Sequence, residues 1–145
     1  MSGADDDGLV AHHVTLTVGN LDASSAWYQE VLGLEVVAER EGAGWRRVLL
    51  KRSAGLMIGL TEHETTAGDD AFRETRVGLD HVSFACAGLE ALEAWRERFE
   101  GLGVTYSPIA ETPVAHVLVF RDPDGIQLEF FAPKGTETGP SRSSI

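Results

Sequence analysis

An internal repeat sets narrow limits on the folds that this chain can adopt. Residues 13–36 match residues 81–104 without a gap, at an offset of 68 positions (13 to 81). The identical pairs are His13/His81, Val14/Val82, Leu21/Leu89, Ala23/Ala91, Ala26/Ala94, Trp27/Trp95, Gly33/Gly101, Leu34/Leu102 and Val36/Val104. Self-similarity of this extent predicts one supersecondary unit that is used twice.

Each copy begins with the pattern of a strand and continues with the pattern of a helix. Apolar and polar residues alternate over positions 13–18, with the histidine on the polar side. Apolar residues then recur at three- and four-residue spacing, as expected for one face of a helix. They are Ala23, Ala26, Trp27 and Val31 in the first copy, and Leu92, Trp95, Phe99 and Leu102 in the second. Gly33 and Gly101 stand where the helices are predicted to end.

Three more extended segments follow each predicted helix. They cover residues 34–40, 45–52 and 56–61 in the first copy, and 104–109, 114–121 and 126–132 in the second. We therefore predict an α+β fold of two βαβββ modules. Module one spans 9–61, a linker 62–79 and module two 80–133, between an acidic tail 1–8 and a flexible tail 134–145.

Composition narrows the class of protein. A chain of 145 residues, 43% hydrophobic, suits a single domain. The net charge of −11 opposes nucleic-acid binding, and no apolar run reaches the roughly 20 residues that cross a membrane. With an acidic N-terminus unlike a secretory signal, we expect a soluble, cytoplasmic protein. The single cysteine, Cys86, excludes an internal disulfide, so any metal must be bound by imidazole and carboxylate.

The repeat also predicts a metal site. If the two modules pack about a pseudo-twofold axis, His13 and His81 face each other at equivalent strand positions. On the last strand Glu129 alternates with Leu128 and Phe130, so its carboxylate points away from the helices. Two imidazoles and one carboxylate form a known site for Fe(II), and Mn(II), Ni(II), Co(II) and Zn(II) are also acceptable.

Further candidates lie on the same strand faces. The candidates for supporting a metal ligand or for contacting the substrate are Thr15, Ser83 and Gln127. In the last hairpins Gly55 corresponds to Gly125 at an offset of 70, which predicts a two-residue insertion between strands and makes Gly59 the counterpart of Glu129. Residues 62–63, Glu-His, are predicted to lie in a loop; the alternative is that they reach a vacant metal position. The Asp-Pro-Asp-Gly sequence at 122–125 is typical of a turn.

Four segments of the sequence are typical of one family. They are His-Val-Thr-Leu-Thr-Val-Gly-Asn-Leu at 13–21, Val-Leu-Gly-Leu at 31–34, Leu-Asp-His-Val-Ser-Phe at 79–84 and Phe-Arg-Asp-Pro-Asp-Gly-Ile-Gln-Leu-Glu-Phe at 120–130. In these segments the chain resembles the vicinal oxygen chelate superfamily, which includes glyoxalase I, extradiol dioxygenases and bleomycin-binding proteins. This resemblance implies a cup formed by two βαβββ modules and a homodimer. It also implies a divalent metal bound by His13, His81 and Glu129, and a small substrate that chelates this metal through vicinal oxygens.

The resemblance leaves three functions open. The first is a metal-dependent glyoxalase-like enzyme of the lyase or isomerase type, in which Glu129 is both ligand and catalytic residue. Glyoxalase I uses a carboxylate pair about its metal as base, and Gly59 removes one partner of that pair. The second function is an Fe(II) extradiol-type dioxygenase. The third is a non-catalytic drug-binding protein similar to bleomycin-resistance proteins.

Overall fold

The computed structural model describes residues 8–53 and 55–135, and it confirms the two βαβββ modules. The elements of the first are β1 (His13–Thr17), α1 (Leu21–Leu32), β2 (Glu35–Gly42), β3 (Trp45–Lys51) and β4 (Met57–His63). Those of the second are β5 (Val82–Ala85), α2 (Leu89–Leu102), β6 (Ala110–Glu111), β7 (Ala115–Arg121) and β8 (Gln127–Pro133). The chain divides into two compact units between Ala71 and Phe72. Most of the two predicted tails, 1–8 and 134–145, lies outside the described residues.

The first unit is a four-stranded mixed sheet in the order β1-β4-β3-β2, with α1 against one face. The strands β1 and β4 are parallel and the other neighbours are antiparallel. Leu16, Leu60 and Val48 form one row across the sheet and are all buried. Because side chains alternate along a strand, the neighbouring rows point to the opposite, more polar face. This alternation confirms the predicted pattern of β1.

The second unit repeats this topology in the order β5-β8-β7-β6. Its core is aromatic, with the ring centroids of Phe99 and Phe120 4.6 Å apart and Trp95 stacked on Phe130 at 4.6 Å. Such ring pairs each contribute about 0.5–1.5 kcal/mol beyond the burial of their area. The predicted strand at 104–109 is wrong, because only Tyr106 there forms an isolated bridge, to Phe120.

The ends of the two helices differ from the prediction in one case. Asn20 caps α1, because its Oδ1 accepts a hydrogen bond from the Ala23 N–H at 2.9 Å, and Gly33 ends it with φ 68° as predicted. In α2 the left-handed residue is Gly103 with φ 67°, so the predicted stop at Gly101 is wrong. Since α1 has 12 residues and α2 has 14, the two-residue insertion lies in the helix and not between strands.

Neither helix in the described part of the chain is long and apolar enough to span a membrane.

The predicted helix faces are correct only in part. The buried residues are Leu21, Ser24, Tyr28, Val31 and Leu32 in α1, and Leu92 and Phe99 in α2. Ala23 and Ala26 are exposed, and Leu102 is 39% exposed. Tyr28 has a larger apolar area than either alanine, so burying Tyr28 is more favourable. The buried face of α1 is therefore centred on Tyr28 and not on the two alanines.

The segment predicted as a linker belongs partly to β4 and partly to the second unit. The strand β4 extends to His63, so residues 62–63 lie in a strand and their placement in a loop was wrong. The Phe72 N–H donates to the Asp124 carbonyl at 3.1 Å. That carbonyl belongs to the predicted 122–125 turn, which is confirmed, because Asp122 Oδ1 accepts from the Asp124 and Ile126 N–H groups at 2.9 Å each.

Candidate metal centre

The strand registers show which positions of the two units are equivalent. In the first sheet Thr15 pairs with Gly59, and in the second Ser83 pairs with Glu129. These two pairs occupy the same place in the repeated topology, on the sheet faces away from the helices. Gly59 is therefore the counterpart of Glu129, in agreement with the alignment of the hairpins.

His81 and Glu129 lie together in the second unit. The His81 Nε2 is 3.8 Å from Glu129 Oε1, and the two side chains are 39% and 15% exposed. Metal bonds to imidazole nitrogen and carboxylate oxygen are about 2.0–2.2 Å long, so two donors to one ion are at most about 4.2 Å apart. The pair fits a shared metal by this measure. The Ser83 hydroxyl donates to Glu129 Oε1 at 2.9 Å and orients the carboxylate.

Asp80 fixes the orientation of the imidazole. The His81 Nδ1 is 2.7 Å from Asp80 Oδ1. An ionised carboxylate only accepts hydrogen bonds, so the ring donates from Nδ1 to Asp80, and in the neutral imidazole the lone pair is on Nε2, the nitrogen nearer to Glu129. A histidine that binds a metal usually donates its other N–H in this way. Sequence reasoning missed this role of Asp80, although its position directly before a candidate ligand was a usable signal.

Asp80 is in turn held by a series of polar side chains. The Gln127 Nε2 donates to Asp80 Oδ1 at 3.1 Å, and Gln127 Oε1 accepts from Arg121 Nη2 at 3.0 Å. Arg121 donates from both terminal nitrogens to the carboxylate of Glu74, at 3.1 and 3.2 Å. The hydrogen bond from Arg121, together with one from the backbone of Glu74, holds the pKa of Glu74 below its ordinary value. The amide of Gln127, which was predicted to support a ligand or to contact the substrate, thus binds protein groups that support His81.

The first unit places His13 and Thr15 on the polar side of β1. His13 is exposed, and its Nδ1 is 2.8 Å from His12 Nδ1. Thr15 covers Gly59, since a Cβ at position 59 would lie 2.7 Å from Thr15 Oγ1 and 3.1 Å from Leu49 Cδ2. A carboxylate side chain at position 59 would therefore displace Thr15.

The structure brings together two of the three predicted ligands. His81 and Glu129 belong to the second unit, and His13 belongs to the first. Among residues 8–53 and 55–135, no three His, Cys, Asp or Glu side chains lie close enough to hold a metal ion.

The repeated βαβββ units and their paired strand positions define the class of protein as a duplicated α+β fold. The family model of the Glyoxalase/Bleomycin resistance protein/Dioxygenase superfamily matches residues 10–130. The chain belongs to this superfamily, which confirms the resemblance found in the sequence.

Proteins similar to this chain carry different functional names. A crystal structure of a glyoxylase/bleomycin resistance protein/dioxygenase domain from Frankia sp. EAN1pec matches with a TM-score of 0.79 and 35% identity, over 94% of this chain and 96% of that one. A probable lactoylglutathione lyase of Vibrio parahaemolyticus is 27% identical over 135 residues, covering 88% of this chain and 93% of the relative. The putative ring-cleaving dioxygenase MhqA of Bacillus subtilis is 27% identical over 121 residues, 81% of this chain and 38% of the relative. The family therefore does not by itself select one reaction.

Proposed function

We propose that this protein is a divalent-metal-dependent, glyoxalase-like enzyme of the lyase or isomerase type. Its substrate is a small molecule that chelates the ion through two adjacent oxygens. The ligands are His13, His81 and Glu129, and Fe, Mn, Ni, Co and Zn are the candidate metals. The observation that carries the proposal is the 3.8 Å approach of His81 Nε2 to Glu129 Oε1, with Asp80 bound to the opposite ring nitrogen. The relatives named lactoylglutathione lyase support this type of chemistry.

The residues of the chain have separate tasks in this proposal. A divalent ion, when bound, supplies Lewis-acid chemistry that polarises the substrate oxygens and stabilises negative charge on them. Asp80 accepts from His81 Nδ1, so that Nε2 is the ring nitrogen available to a metal, and Ser83 holds one oxygen of Glu129. Within the described residues the second oxygen, Oε2, has no hydrogen-bond partner, so Glu129 can accept a proton there and is the proposed catalytic residue. The hydroxyls of Thr15 and Ser83 are the proposed substrate contacts.

Gly59 separates this proposal from the mechanism of glyoxalase I. That mechanism relies on two carboxylates about the metal, and the first sheet offers Gly59 covered by Thr15 where the second offers Glu129. A single carboxylate remains to move a proton. We therefore propose a reaction that needs only one carboxylate base.

A second candidate function is an Fe(II) extradiol-type dioxygenase. Two histidines and one carboxylate are a site type of Fe(II) oxygenases, and the relative MhqA is named a putative ring-cleaving dioxygenase. The protein would be reconstituted anaerobically with Fe(II) and then given oxygen and a panel of catechols. Oxygen uptake that depends on a catechol would establish this function in place of the lyase or isomerase chemistry.

The oligomeric state, the cellular location and the kind of ligand are also proposals. We propose a homodimer in the cytoplasm that binds a small molecule and not nucleic acid. The net charge of −11 supports the exclusion of nucleic acid, because a phosphate backbone would be repelled.

The proposal is tested by removing the carboxylate ligand. We expect Glu129→Ala to weaken metal binding by about tenfold or more, because the ion loses a charged donor. The measurement is calorimetric titration of the full chain with Zn(II) or Co(II), together with the metal content after dialysis. Glu97→Ala, which removes an exposed carboxylate from α2, is the matched control and should bind like the wild type. Unchanged affinity and metal content in Glu129→Ala would refute the site.

A further inference from the structure

The polar face of the first sheet carries two arginines that the proposed metal site does not use. Arg40 on β2 lies directly opposite Arg47 on β3. The same row continues through Thr61 on β4 to Thr17 on β1. Because residues 13, 15 and 17 of β1 point to the same side, this row shares its face with His13.

The guanidinium group of Arg47 is held in a defined orientation. Its Nε donates to Thr61 Oγ1 at 2.7 Å, and its Cζ lies 4.8 Å from the ring centroid of Trp45. Thr61 is only 1% exposed, so its hydroxyl is a fixed partner. These two contacts leave the terminal nitrogens of Arg47 as a planar fork, which matches the oxygens of a carboxylate or a phosphate.

The neighbouring Arg46, in contrast, has carboxylate partners that balance its charge. It lies on the opposite face of β3, with its terminal nitrogens 3.8 Å from Asp22 and 3.3 Å from Glu62. Within the described part of the chain, neither Arg40 nor Arg47 has a carboxylate partner. Like charges directly opposite each other across a ladder are destabilising, so an uncompensated pair in a chain of net charge −11 indicates a role in binding.

The two acidic residues beside Arg40 do not neutralise the pair. Glu39 is paired with Val48 and Glu41 with Arg46, in the rows that alternate with that of Arg40. By the alternation of the strand, their side chains start on the other face of the sheet.

We propose that Arg40 and Arg47 form an anion-binding site that takes a carboxylate or phosphate group of the substrate. The assignment to the substrate rests on the proposed function, since it makes this face part of the same site as His13. The rows of His13 and Arg47 are four residues apart along β1 and β4, which is about 13 Å. The substrate is therefore an elongated molecule with an anionic end well separated from its metal-binding oxygens.

The site is tested by anion titration of the full chain without added metal. The Arg47 Nε–H signal is followed by NMR while inorganic phosphate, or acetate in a second arm, replaces chloride at constant ionic strength. We expect a saturable shift in at least one arm, and the stronger arm identifies the preferred anion. In Arg40→Gln the affinity read at Arg47 should fall by about fivefold or more, because one of two cations is lost.

Arg46→Gln is the matched control, because it removes the same charge from the neighbouring strand β3, on the opposite face of the sheet. Its affinity for the anion should stay within about twofold of the wild type. Equal losses in Arg40→Gln and Arg46→Gln, or no saturable shift at Arg47 in either arm, would overturn the proposal. Because no metal is present, these results do not depend on Glu129, and a failure of the metal site would be detected separately by the Glu129→Ala titration.

Discussion

At the scale of single residues, the proposed chemistry depends on how firmly one imidazole is oriented. His81 presents Nε2 to Glu129 because its Nδ1 donates to Asp80. Asp80 is held by Gln127, whose amide is itself fixed by Arg121. A ring oriented in this way loses little further freedom when it binds an ion, which favours affinity.

Replacing Asp80 tests this orientation without removing a ligand. We expect Asp80→Asn to weaken Zn(II) binding by about 10- to 100-fold, because asparagine lacks the charge that holds the Nδ1–H tautomer. Calorimetric titration measures the affinity, and thermal unfolding shows whether the fold is intact. Asp69→Asn, at an exposed position in the first unit, serves as control. If Asp80→Asn bound Zn(II) like the wild type, Asp80 would have no part in the site.

The sequence predicted the orientation of Glu129 but not the role of Asp80. The alternation that points Glu129 away from the core is a local property of β8, visible within a few residues. The support of Asp80 comes from Gln127, 47 residues further along the chain. A contact over that distance depends on the strand register, which a pattern of residue types does not specify. The arginine pair of the first sheet was missed for the same reason.

At the scale of elements, the repeat is less regular than the gapless alignment indicated. The alignment pairs Tyr28 with Arg96, yet the buried aromatic residue of α2 is Phe99, and both Tyr28 and Phe99 are completely buried. Two extra residues in α2 move its end to Gly103. Helix length is fixed by which side chains fill the core and where a left-handed residue can end the helix.

The position of the helix end predicts opposite effects for two neighbouring glycines. Gly101→Ala should raise the free energy of unfolding by about 0.5–1 kcal/mol, because alanine is favoured inside a helix. Gly103→Ala should lower it by about 1–2 kcal/mol, because φ 67° is strained for any residue with a Cβ. Chemical denaturation of both variants measures the difference. Destabilisation by Gly101→Ala with no effect of Gly103→Ala would place the end of α2 at Gly101 instead.

At the scale of the whole molecule, the two units have the same fold, and the proposed site depends on residues in which they differ. Both units share the same topology, and this much followed from the sequence because a repeat of hydrophobic pattern dictates it. At the paired position the second unit has Glu129 beside Ser83, and the first has Gly59 under Thr15. The reaction depends on such single differences, which explains why the fold could be predicted and the substrate could not.

We propose that one ion is bound by His13 of the first unit together with His81 and Glu129 of the second. X-ray absorption fine structure of the Zn(II)-loaded chain tests this ligand set, because the scattering of imidazole rings reveals how many bind the metal. We expect two imidazoles on the metal in the wild type, and one in each of His13→Ala and His81→Ala. An unchanged imidazole count in either variant would refute the proposed ligand set.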